Sequence, residues 1–275
     1  MLLWKGRHAH HIGSRQGLYR WFARKLALAA RSETLALFEQ EYTTENKAGE
    51  GQFDPVTEAD RAAEAAMRRL IDQEFPEHGI TGEELADRRA DSRYCWSLDP
   101  IDGTRSYLTG FPTWTTLIAL LGEGEPLLGL IDAPRLNELY IGTAEGSVLE
   151  SGTSLSTLKT SGCSVLSQAR LSTTDPYLFH GSAAEAFERL RATIQMVRFG
   201  HDGYAYARLA AGYVDLVVEC GLKSHDYNAL IPVVRGAGGS FGDWNGGSDF
   251  DTGNMIAAAT PELYEAAVTI MKHAL

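Results

Sequence analysis

The chain has 275 residues, 44% hydrophobic and 22% charged, a size and balance that allow a substantial core and exclude a disordered polymer. Its 36 acidic and 25 basic side chains leave a formal charge of −11, which disfavours a nucleic-acid backbone or an anionic membrane as the main partner. Three widely spaced cysteines, Cys95, Cys163 and Cys220, make neither a disulfide framework nor a CxxC zinc pair and fit a reducing cytoplasm.

Met1 to Gln16 is basic and carries His8, His10 and His11, but it lacks the apolar run of a signal peptide and reads as a solvated extension. No later stretch approaches the length of a membrane span. From Gly17 to Glu41 the positions of Leu18, Trp21, Phe22, Leu26 and Leu35 predict a first core helix with a wide apolar face. A polar loop with Lys47, Gly49 and Gly51 follows. Ala63, Ala66, Met67, Leu70 and Ile71 then predict a second helix, with Thr57 and Asp60 in capping-box spacing and Pro76 as the stop. Asp54 falls just ahead of this helix.

Beyond Gly79 the pattern shortens to apolar runs at Tyr94–Leu98, Thr115–Leu121, Leu127–Ile131, Leu139–Ile141 and Ser147–Leu149, separated by glycine-rich reversals. They predict an antiparallel meander. After a boundary expected near Ser151, helix-like Ala183–Ile194, strand-like Met196–Phe199, helical Tyr204–Ala211 and strand-like Leu216–Val218 alternate. An amphipathic helix from Tyr227 to about Gly236, a strand at Met255–Ala259 and a helix after Pro261 complete the expectation. The whole is an α/β (α+β) protein of two lobes, residues 1–150 and 151–275, meeting at a cleft.

Chemistry concentrates where acids sit at element junctions. In Trp96-Ser97-Leu98-Asp99-Pro100-Ile101-Asp102-Gly103-Thr104, two carboxylates follow a buried-looking strand, Pro100 restricts the backbone, and Gly103 permits a conformation or close approach that a Cβ would block. Asp-Pro and Asp-Gly are also ordinary turn dipeptides, so this loop alone divides evenly between turn-making and ligation. Glu83 after a short strand, Asp54 and Asp60 around a helix start, and Asp226 opening another helix shift the balance to Mg²⁺, a hard ion that takes oxygen ligands and substrate phosphate.

The segments DPVTEAD at Asp54–Asp60, GEE at Gly82–Glu84, WSLDPIDGTR at Trp96–Arg105 and HDYNALIPVVRGAGG at His225–Gly239 together resemble the inositol-monophosphatase-like family, in order and spacing, from about Lys47 to Gly239. The resemblance implies a layered αβαβα sandwich of the inositol-monophosphatase and fructose-bisphosphatase type, a homodimer, and a phosphomonoesterase that uses two or three Mg²⁺ ions. It further implies Glu83, Asp99, Asp102, Asp226 and the Ile101 carbonyl as metal ligands, Gly103 and Thr104 at the phosphate, and Asp54 with Thr104 as the pair that orients the attacking water. Glu84 is then structural.

Two departures, His225-Asp226 for the common Trp-Asp and Arg105 for a common Thr, bear on substrate and leave the ligands intact. Arg105, Gly110–Trp114 and Gly200–Tyr204 resemble the histidinol-phosphatase branch, which implies a cationic leaving alcohol received by Asp202 and Glu219. For Asp202 a helix-capping role stands as an equal reading. Inositol 1-phosphate is the second substrate, and a non-catalytic binder of Mg²⁺ and phosphometabolites is the alternative class. GxSxG and a correctly placed GxGxxG are both absent, which sets aside a serine hydrolase and a dinucleotide site.

Overall fold

The computed structural model describes residues 15–38, 44–46 and 55–272. The histidines of the N-terminal extension, the loop at Lys47–Gly51, and Asp54 lie outside the described residues, and so does the side chain of Thr57. Helix α1 (Arg15–Leu37) buries Tyr19, Phe22, Ala23, Leu26, Ala27, Ala30 and Thr34, the spacing of one helical face. Strands β1 (Thr44–Asn46) and β2 (Pro55–Thr57) pair antiparallel and lead into α2 (Glu58–Glu74), which packs Ala63, Met67 and Ile71 inward.

The first sheet then forms in sequence order: β3 (Gly79–Gly82), β4 (Tyr94–Asp102), β5 (Thr115–Gly122), β6 (Glu125–Ala133), β7 (Glu138–Thr143), β8 (Gly146–Ser151) and β9 (Ser154–Thr157). A short helix, α3 (Thr104–Leu108), separates β4 from β5. The meander is antiparallel as expected, except that β3 joins β4 in parallel. The chain stays in this sheet until Thr157, past the boundary expected near Ser151, because polar β9 pairs with β8 where no apolar alternation announced a strand.

The second sheet has the order β11-β10-β12-β14-β13, built from β10 (Arg170–Thr173), β11 (Met196–Phe199), β12 (Leu216–Glu219), β13 (Ser240–Asp243) and β14 (Met255–Ala258). Its helices are α4 (Ser182–Arg191), α5 (Asp202–Ala210), α6 (Ser224–Tyr227), α7 (Leu230–Gly236) and α8 (Pro261–Met271). Three apolar cores define five layers. One joins α1 and α2 to Trp96, Leu98, Ile118 and Leu130 on the first sheet; a second joins Leu117, Ala119 and Ile131 on its other face to α5, α7 and Val217 and Ala257 of the second sheet; a third covers that sheet's far face with α4 and α8. The alternation of Leu117 and Ala119 against Ile118 and Leu120 is the two-residue period of a strand buried on both sides.

The expected amphipathic helix at Tyr227–Gly236 is instead two helices, and Leu230 to Val234 are all buried. The reason is position: α7 lies between two sheets, and only its last turn, at Arg235, reaches solvent. Its approach to the first sheet depends on Gly129 and Gly142, which are paired across β6 and β7. A Cβ on Gly129 would stand 2.0 Å from the Ala229 carbonyl oxygen, and one on Gly142 would stand 2.3 Å from that of Pro232. These glycines seat the helix pair that carries Asp226.

Candidate active site

On a regular strand, residues three apart point to opposite faces. Asp99 and Asp102 nevertheless reach one face, because β4 pairs Asp99 with Leu117 and Asp102 with Thr115, three residues against two. This one-residue bulge falls at Pro100-Ile101, where proline's missing N–H breaks no ladder bond. The Thr116 hydroxyl donates to the Pro100 carbonyl at 2.7 Å, and Ile101 is anchored among Phe38, Ala59, Tyr107 and Trp114. The segment read as a loop is therefore strand as far as Asp102.

Asp226 comes from the opposite lobe on α6. Two residues on, the buried Asn228 side-chain nitrogen donates to Ser97 Oγ at 3.2 Å, and Ser97 lies two residues before Asp99. This latch brings Asp226 to the bulge. One ligand oxygen from each of Asp99, Asp102 and Asp226 lies within 4.8 Å of the others.

The second oxygens are committed elsewhere. Asp102 Oδ2 accepts from Thr115 Oγ1 at 2.8 Å and from the Gly203 amide at 2.6 Å, so this acid ties the start of α5 to β4. Asp226 Oδ2 accepts from the Lys223 amide at 2.6 Å. Asp99 Oδ1 is buried with no hydrogen-bond partner, an uncompensated oxygen of the kind a cation satisfies. Burial pushes the Asp99 carboxyl well above its ordinary range, and the charges of Glu83, Asp102 and Asp226 add to the effect. Asp102 is raised likewise, first by burial and then by Asp202 and Asp226, against the pull of Thr115 and Gly203. Asp226 differs: burial raises its carboxyl, but His225, 3.6 Å from its Oδ1, and Lys223 pull it down, so the uncompensated charge centres on Asp99 and Asp102, and the all-oxygen set fits a hard divalent cation.

Glu83 stands outside the 4.8 Å group, yet near enough for its charge to raise both Asp99 and Asp226; its amide donates to the Leu98 carbonyl at 3.2 Å. Glu84 gives its amide to buried Glu64 at 2.8 Å. The Ile101 carbonyl accepts from the Thr104 hydroxyl at 3.2 Å, and Gly103 takes the left-handed φ of 85° that turns the chain into α3. Asp54, the expected partner of Thr104, lies outside the described residues.

Arg105 is largely exposed and reaches across to the other lobe, pairing with Asp175 at 3.1 Å. Asp202 is the first residue of α5 and His201 stands at its N-cap; the Asp202 φ is 44°, and its Oδ2 lies 3.4 Å from the Ser106 hydroxyl, which donates to it. The amide at this helix start is satisfied by Asp102 instead. Burial raises the Asp202 carboxyl to about 6, with Ser106 and Arg105 pulling down and Asp226 pushing up. Glu219 is buried and accepts from Thr173 Oγ1 at 3.1 Å and from the Thr174 amide and hydroxyl at 2.7 and 3.0 Å; burial nonetheless lifts it to about 8. The sequence reading missed Ser97, Thr115 and Asn228, polar residues whose roles exist only through strand register and the inter-lobe contact.

The fold is a layered α/β sandwich that brings three carboxylates, from β4 and α6, to one point where they could hold a metal ion. The inositol monophosphatase family model matches residues 19–274, and the chain belongs to that family. It is 45% identical over 225 residues to the chloroplastic bifunctional phosphatase IMPL2 of Arabidopsis thaliana, a match covering 78% of this chain and 64% of that protein. The chain thus spans a little under two thirds of that relative's length. A histidinol-phosphatase of Chlorobaculum parvum is 34% identical over 206 residues, 74% of this chain and 78% of that one. An inositol monophosphatase structure from Zymomonas mobilis superposes with a TM-score of 0.83 at 38% identity, covering 94% of this chain and 99% of that chain. The layered fold expected from the sequence is the observed one. Among the described residues no helix is long and apolar enough to cross a membrane.

Proposed function

We propose that the chain is a Mg²⁺-dependent phosphomonoesterase that prefers histidinol phosphate, yielding histidinol and inorganic phosphate for histidine biosynthesis. The observation that carries the reading is the convergence of Asp99, Asp102 and Asp226, each with an oxygen free of hydrogen bonds among the described residues. Two or three ions would be held by these acids, Glu83 and the Ile101 carbonyl. Bound there, Mg²⁺ supplies Lewis acidity to phosphoryl oxygens and makes water more acidic.

The chain's own groups supply orientation. The Thr104 hydroxyl sits at the bulge beside the Ile101 carbonyl and, with Asp54, orients the attacking water. Gly103 and Thr104 receive the phosphate, and Arg105 adds a cation at the rim. Asp202, with Glu219 deeper in the same lobe, favours a leaving alcohol that carries an ammonium group, because a charge-assisted hydrogen bond contributes about 1.5–3 kcal/mol. Similarity to a histidinol-phosphatase supports this substrate over inositol 1-phosphate, which the similarity to an inositol monophosphatase keeps as the second reading. The family resemblance also supports a cytoplasmic homodimer.

The test is steady-state turnover of histidinol phosphate and inositol 1-phosphate with Mg²⁺ and with a chelator. Histidinol phosphate is expected to have the higher kcat/KM, and chelation to stop both reactions. Faster turnover of inositol phosphate rejects the substrate, and undiminished chelated activity rejects the metal. Asp202→Asn is expected to lower kcat/KM for histidinol phosphate more than for inositol phosphate, and equal losses reject its role.

A further inference from the structure

Toward the end of the first sheet away from the bulge, between the start of α1, the β5–β6 hairpin and the end of α7, lies a cavity of about 600 Å³. That volume falls within the range of small-molecule sites. Its walls are mainly apolar: Tyr19, Leu120, Leu127, Leu128, Ile231 and Pro232. Among the described residues, the charged side chains lining it are Arg15 and Arg235. Both are exposed. In a chain with 36 acidic and 25 basic side chains, an apolar cavity lined by two arginines and no acid is a local reversal of charge.

The arginines are only lightly engaged. Arg15 Nη1 lies 3.3 Å from the Tyr94 hydroxyl, and Arg235 Nη2 donates to the Phe241 carbonyl at 3.0 Å, which leaves most of each guanidinium fork unused among the described residues. The nearest acid along the rim, Glu145, faces the Gln16 carboxamide, which donates to it once its nitrogen is turned that way.

We propose that this cavity binds a small monocarboxylate with an apolar body, the carboxylate held by Arg15 and Arg235 and the body inserted against Leu120, Leu128 and Ile231. A guanidinium matches a carboxylate in charge and in planar geometry, and the apolar walls account for the rest of the ligand. None of the groups assigned to phosphate-ester chemistry lines the cavity. The site is therefore separate from the metal centre, and its test is independent of the activity.

The probe is 4-phenylbutyrate, titrated calorimetrically into the full chain, beside its neutral amide. One-site saturation is expected, with the carboxylate binding at least tenfold tighter than the amide and raising Tm by mass action. Arg235→Gln is expected to reduce that preference at least threefold. Ala144→Trp, at an exposed turn lining the cavity, is expected to abolish binding while turnover stays normal. Equal affinity for acid and amide, undiminished binding in Ala144→Trp, or no saturable binding would each overturn the proposal. So would occupation of the cavity by a second copy of the chain, seen as loss of self-association in Leu127→Glu.

Discussion

Two kinds of buried aspartate occupy this molecule. Asp132 is fully buried and receives a bidentate Arg31 at 2.5 and 2.7 Å, and Asp215, 1% exposed, is paired with Arg170 at 2.7 Å and bonded to Ser161. Asp99 is equally buried, and among the described residues neither it nor Asp102 forms an ion pair with arginine or lysine. At Asp215 burial pushes the carboxyl up, but Arg170 and Ser161 hold it below its ordinary value; at Asp99 burial and four neighbouring carboxylates, Glu83, Asp102, Asp226 and Asp60, all push up. The first kind completes its charge within the fold, and the second leaves it for a cation to complete.

The largest effect should come from removing a site acid. Asp102→Asn is expected to lower kcat/KM at least a thousandfold, about 4 kcal/mol of transition-state stabilisation, while Tm in chelator does not fall. A normal rate, or loss of the fold instead of the activity, would break the comparison. Next, Arg31→Met strands Asp132 without its cation and should cost about 3–5 kcal/mol of stability, with turnover per folded molecule unchanged. Denaturant titration with an active-site assay measures both.

Asp215 and the site acids should answer pH in opposite directions, whereas burial raises Asp132 to about 6 in spite of Arg31, so that it answers with the site acids. Asp99 and Asp102 are raised in the folded state, so their contribution to stability is full below the unfolded value near 4 and is lost as pH rises through the folded values. Asp215 is lowered, so its contribution is present above that unfolded value and is lost as pH falls through the folded one. Mg²⁺ should therefore raise Tm more at pH 8 than at pH 6, because it removes a cost that grows with pH. A gain that shrinks with rising pH would contradict the assignment. The smallest effect is reserved for the latch: Asn228→Ala should weaken Mg²⁺ binding about tenfold by calorimetry, the order seen when a ligand's hydrogen-bonded support is lost, with the three carboxylates intact. Unchanged affinity would mean that Ser97 and Asn228 serve packing alone.

Much of this was legible in the residues. The apolar spacing of α1 and α2 and the meander could be read from local pattern, because amphipathic periods are local signals; the acids were marked by their places at element junctions, and their roles came only from the family resemblance. Polar β9, β10 and β13 were not legible: Ser154–Thr157, Arg170–Thr173 and Ser240–Asp243 carry little apolar alternation and gain their order from neighbouring strands. The same limit hid the burial of Leu230 to Val234 in α7 and the supporting bonds of Thr115, Gly203 and Asn228. Asp202 could be placed at a helix start, but whether it capped that helix depended on Asp102 arriving there from a distance of 101 residues.

The bulge at Pro100-Ile101 gives the aspartate pair a parity problem with one solution. Two acids separated by an odd number of steps can share a face of a strand only if the strand miscounts once between them. Deleting Ile101 would leave an even step, but it would remove the side chain that pins the bulge among Phe38, Tyr107 and Trp114 and the carbonyl that Thr104 bonds. Inserting a residue there would also make the step even, but it would lengthen the stretch between the two acids and take Asp102 out of register with Thr115 and Gly203. Length at this point is therefore as tightly set as residue identity, and a chain that kept all three aspartates while gaining or losing one residue between the first two would keep the composition of the centre without its geometry.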